Sequence, residues 1–73
     1  MKGGYTLNKN TEIVWKYLQK YFASNSKAIC PLDVHIDGLT VNDINIAFSE
    51  LNNTGKIVLN NKYVHPYVES ISE

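Results

Sequence analysis

The segment from Thr40 to Gly55 constrains the chain more than any other. Thr40 followed three residues later by Asp43 is close to a capping box, in which each side chain bonds the other residue's backbone N–H at a helix start. Ile44, Ala47, Phe48 and Leu51 recur at i, i+3, i+4 and i+7, the spacing of one helix face. Gly55 supplies the residue just past a helix end, where left-handed backbone is common. The spacing predicts a helix over 41–53 that buries one face. Lys56-Ile57-Val58-Leu59 follows at once and is rich in β-formers, so the helix must hand over to a strand within a residue or two.

Asn60-Asn61 separates that run from Lys62-Tyr63-Val64-His65, and asparagine tolerates positive φ, so the pair reads as a two-residue hairpin turn. This register opposes Leu59 to Lys62, Val58 to Tyr63, Ile57 to Val64 and Lys56 to His65. Ile57, Leu59, Lys62 and Val64 then face the helices. Lys56, Val58, Tyr63 and His65 form the outer face. Pro66 is expected to end the second strand, leaving a short, mildly acidic tail to Glu73.

Upstream, a helix is expected from Thr11 to about Ser24, capped by Asn10 or Thr11, with Glu12 in its first turn. Its apolar arc is very wide: Ile13, Val14, Trp15, Tyr17, Leu18, Tyr21 and Phe22. A core-facing stripe of about 100° upward needs fewer residues. A second contact is therefore expected on the flank that carries Trp15 and Phe22, with Tyr21 nearby. Ala28-Ile29-Cys30 reads as a short strand. Pro31 suits the first turn of a short helix through His35 or Ile36, and Asp37-Gly38 reads as a turn.

Length and composition bound what this can be. The chain has 73 residues, so a single domain is expected, with its core over about 11–66 and short ends. One cysteine, Cys30, permits no internal disulfide and no cysteine-rich zinc site, so packing or association must stabilise the fold. An apolar share of 44% argues against wholesale disorder. No apolar run approaches the ~18 residues of a membrane span. Met1-Lys2-Gly3-Gly4-Tyr5 does not open onto a signal-peptide core, so a cytoplasmic protein without membrane contact is expected.

The net charge is zero but segregated. Residues 1–32 carry five lysines against Glu12 alone, and residues 33–73 carry two lysines against six acids. There is no arginine, the usual bidentate reader of guanine, although lysine contacts phosphate well.

The order of helix, short strand, short helix, turn, helix and hairpin resembles the winged-helix variant of the helix-turn-helix superfamily. The carrying stretch is Gly38 to Ile57: a capped helix, a Leu, a Gly, then the first wing strand. The resemblance covers roughly Thr11 to His65 and implies an α+β fold of three helices with a C-terminal β-hairpin wing. It also implies that the helix over 41–53 enters the major groove. Such domains bind duplex DNA, RNA or only other proteins, so the fold alone does not choose among them.

Opposite the core face of that helix lie Asn42, Asn45, Ile46, Ser49 and Asn53. Asparagine bonds adenine bidentately and an apolar side chain touches the thymine methyl, so this strip suits A·T pairs. Asp43 and Glu50 flank it and would repel phosphate. The bland alternative is a solvated helix surface rich in asparagine through codon bias. The wing adds Lys56, Lys62, Tyr63 and His65, as phosphate and stacking candidates or as plain cross-strand pairs. Lys16 and Lys20 read first as a solvated face beside Glu12, and second as a basic edge with Lys9 and Lys27.

The expected function is a small, non-enzymatic DNA-binding regulator or accessory factor of a phage or mobile element, acting as a dimer through Trp15, Tyr21 and Phe22. The alternative is a protein-interaction module, a subunit or inhibitor of a nucleic-acid-processing complex. Asp33, His35 and Asp37 alternate, but a spacing of two does not converge in a turn or helix, so no metal site is expected. Cys30 reads as a small buried residue. No phosphate-binding loop, catalytic triad or cofactor motif is present, and no enzyme is expected.

Overall fold

The structure, a computed structural model, describes residues 8–60 and 66–72. Helix α1 spans Lys9–Ser24 and helix α2 spans Val41–Asn53; strand β1 spans Ile57–Asn60 and strand β2 spans Tyr67–Ile71, paired antiparallel. Between the helices, Pro31–Asp33 makes one turn of 3-10 helix. Among the described residues the class is α+β, with two α-helices and a hairpin rather than three helices. Val34 explains the shortfall. It is 5% exposed and extended, at φ −93° and ψ 117°, so the chain leaves the helical conformation to bury it.

α1 begins earlier than the sequence suggests. Asn8 is its cap, and its Oδ1 accepts from the Thr11 backbone N–H at 3.1 Å. Thr11 is thereby free to turn inward, where it has no exposed surface. α2 matches its expected bounds. Thr40 Oγ1 accepts from the Asp43 N–H at 3.1 Å, and Asp43 Oδ2 accepts from the Thr40 N–H at 3.0 Å, which completes the capping box. At its end Gly55 takes φ +78°, and a second left-handed glycine, Gly38 at φ +86°, turns the chain into α2.

The hairpin departs from the expected register. Ile57 pairs with Ile71, Val58 with Ser70, Leu59 with Val68 and Asn60 with Tyr67. The return strand therefore follows Pro66 instead of ending at it, and the expected partners Lys62–His65 lie outside the described residues. Burial decides between the two candidates. Pairing with 62–65 would set Lys62 on the core face, whereas β2 offers Val68, which is fully buried. Proline is tolerated just ahead of a strand. The register shifts between Val58 and Leu59, where Glu69 is the extra residue of a bulge. Without it Val68 and Ile71, three apart, would point to opposite faces; with it both pack inward.

Ile29 bridges Val68 through two backbone bonds of 3.0 and 2.8 Å, so the expected strand at 28–30 is a single bridging residue on the open edge of β2. Val14 and Leu18 from α1, Ile44, Ala47, Phe48 and Leu51 from α2, and Ile57 and Val68 from the hairpin close the core. The predicted faces of α2 and of β1 are thus the buried ones. Among the described residues no buried side-chain nitrogen or oxygen lacks a hydrogen-bond partner.

Candidate functional site

Because Ile44, Ala47, Phe48 and Leu51 anchor α2 in the core, its other face is necessarily outward. Asn42, Ser49 and Asn53 are exposed, Asn45 is partly exposed, and Ile46 retains 49% of its surface. About three helical turns therefore present three amides, a hydroxyl and one aliphatic side chain as a continuous strip.

The two acids beside the strip are both engaged. Asp43 closes the capping box with Thr40. Glu50 reaches across to the start of α1: its Oε1 accepts the Thr11 hydroxyl at 2.7 Å and its Oε2 accepts the Asn8 side-chain amide at 3.2 Å. The carboxylate expected to confront phosphate is instead the clasp between the two helices. Its charge remains, but hydrogen bonding directs it toward α1.

The wing candidates divide. Lys56 is partly buried, with its Nζ 5.4 Å from the ring centroid of Trp15, a cation–π distance. It leans back on the domain rather than outward. Lys62, Tyr63 and His65 lie outside the described residues. Val58 is 44% exposed on the outer side of β1.

Trp15, Tyr21 and Phe22 are all partly buried and packed against the core. The rings of Tyr21 and Phe22 meet edge to face at 4.9 Å and 88°, and the Tyr21 hydroxyl donates to the Lys27 carbonyl at 3.0 Å. Much of the wide apolar arc of α1 thus packs within this chain. Lys9, Lys16 and Lys20 are exposed on the opposite side of α1.

One group escaped the sequence reading. Tyr67, from the unforeseen strand β2, lines a recess of about 320 Å³ with Lys27, Ala28, Asn60 and Glu69. Asn60 donates to Glu69 Oε2 at 2.6 Å in its wall. The signal in the sequence is Tyr67-Val68 and Ile71 after Pro66, a β-rich run that competes with the nearer one before the proline.

Asp33, His35 and Asp37 are exposed, and among the described residues no cluster of three metal-ligating side chains forms. Cys30 is buried, its Sγ donating to Asp33 Oδ2 at 3.3 Å. Among the described residues no helix is long and apolar enough to cross a membrane. Comparison with family models, with curated proteins and with solved structures gives no match for this chain.

Proposed function

We propose that the chain is a small duplex-DNA-binding domain of the winged-helix kind, which lays the outer face of α2 in the major groove of A·T-rich sequence. The observation that carries the reading is the exposed strip Asn42, Asn45, Ile46, Ser49 and Asn53, together with the diversion of Glu50 into a bond with Thr11. Amides and an aliphatic group are the side chains that match adenine edges and the thymine methyl. The element order adds support: α1, the bridging Ile29, the 3-10 turn, α2 and the hairpin follow the winged-helix sequence of elements. Lys27 beside Tyr67 supplies a phosphate contact near the hairpin.

Fluorescence anisotropy with labelled A·T-rich and G·C-rich duplexes at low salt tests this. Binding is expected at micromolar protein, tighter for the A·T duplex and weakening as salt rises. Asn45→Ala should lower A·T affinity by about 1–3 kcal/mol, the worth of a bidentate base contact. No binding to either duplex in low salt overturns the reading.

A protein-interaction module is the second reading, and one observation favours it. Residues 28–55 contain four acids and no lysine, so the whole turn-and-helix unit lacks the cations that dominate most nucleic-acid affinity.

A further inference from the structure

The charge segregation seen in the sequence becomes two distinct surfaces in the fold. On α1, the exposed side carries Lys9, Ile13, Lys16 and Lys20, all within a narrow arc at 100° per residue. Ile13 is 38% exposed, an apolar knob among three ammonium groups. Glu12, the one acid of this helix, sits at the edge of the arc, one turn before Lys16.

The second surface lies between the 3-10 turn and α2. Leu32, Val34, Ile36, Leu39, Val41 and Ile44 line an open hollow of about 280 Å³. Leu32 and Val41 remain 51% and 43% exposed, so two apolar side chains stand open to solvent in a wall of mixed polarity. Asp37 lines the hollow as well. Asp33 lies between Leu32 and Val34 in the chain, and Asp43 immediately precedes Ile44. The only basic side chain in this stretch is the imidazole of His35, which also lines the hollow.

We propose that these surfaces are complementary and that the hollow receives the α1 stripe of a second copy of this chain. Ile13 packs against the exposed Leu32 and Val41 of the hollow while Lys9, Lys16 and Lys20 meet Asp33, Asp37 and Asp43. A second copy is favoured as occupant because the same molecule carries both halves of the match, with opposite charge and apolar centres. The two patches differ, so the contact is head-to-tail and adds copies in sequence unless the rotation closes a ring. One helix face against one shallow hollow is at the small end of interfaces, so the association is transient and salt-sensitive. It needs no nucleic acid, so it stands or falls apart from the DNA reading.

The test is sedimentation velocity on the full chain, free of nucleic acid, at rising protein concentration in low and in high salt. The weight-average mass should climb with concentration in low salt and return to the 8.3 kDa monomer in high salt, an affinity loss of at least about tenfold as screening shortens the Debye length. Two charge-swapped variants locate the contact: Lys16→Glu with Lys20→Glu, and Asp33→Lys with Asp37→Lys. Each alone should stay monomeric, and an equal mixture of the two should associate again, because every junction in the mixture is complementary. Recovery in the mixture also shows that both variants fold. Should Asp33→Lys disturb the turn through its bond to Cys30, Asp37→Lys alone should still weaken association. A monomer at every concentration in low salt overturns the proposal. So does self-association that neither swap affects, which would place the contact on another face.

Discussion

Thr11 has no exposed surface, and its hydroxyl donates at 2.7 Å to a carboxylate 39 positions away in the chain. A threonine near a helix start reads as a cap, and Glu50 on an outward-looking arc reads as a solvent charge. Neither local pattern carries the information that the two meet, because the meeting depends on how α1 packs on α2. Thr11→Val keeps the shape and removes the donor. It should destabilise the fold by about 1.5–3 kcal/mol in chemical denaturation, the range for a bond to a charged acceptor. Glu50→Gln retains a carbonyl to accept Thr11 and should be milder. It also removes a negative charge beside the amide strip, so DNA affinity measured by anisotropy should rise. A Glu50→Gln variant that is stable yet binds DNA less well would mean that the carboxylate itself belongs to the interface.

At the level of elements, α2 was legible from the sequence and the hairpin only half so. The capping box, the four core residues and Gly55 all act within a few positions of each other, and so fix α2 without reference to the rest of the molecule. Gly55 meets no atom within 4 Å where a Cβ would be added, so Gly55→Ala probes backbone strain alone. It should cost about 1–2 kcal/mol by thermal denaturation, with Gly55→Asn costing less. The return strand was a contest between two β-rich runs either side of Pro66, and local propensity favours neither. The outcome turns on burying Val68 beside Ile29 and Leu59, and on a bulge at Glu69 that no local pattern announces. Likewise the short helix after Pro31 gave way to one 3-10 turn because Val34 has a place in the core. Of the candidate site, the α2 strip was readable because a helix whose buried face is known has a known outer face. The recess at Tyr67 was not, since it exists only in the observed register.

For the molecule as a whole, one core joins both helices to the hairpin, and Phe48 lies in it with no exposed surface. A chain of this length has about 4–11 kcal/mol of stability at roughly 0.05–0.15 kcal/mol per residue. Phe48→Ala should remove about 3–5 kcal/mol of that and leave little folded protein on heating, as circular dichroism would report. Lys56→Ala tests how the hairpin is tied back to α1: loss of the cation over Trp15 should cost about 0.5–1 kcal/mol and alter the tryptophan emission. The lysines lie mainly in the first half of the chain and the acids in the second, so any DNA contact through α2 has to rest on neutral amides rather than on cations. The most direct test is an NMR titration of the isotope-labelled chain with an A·T-rich duplex in low salt, following backbone and asparagine side-chain amides. The signals of Asn42, Asn45, Ile46, Ser49 and Asn53 should shift most while the Trp15 indole stays in place. Shifts confined to α1, or none at all, would contradict DNA binding through α2.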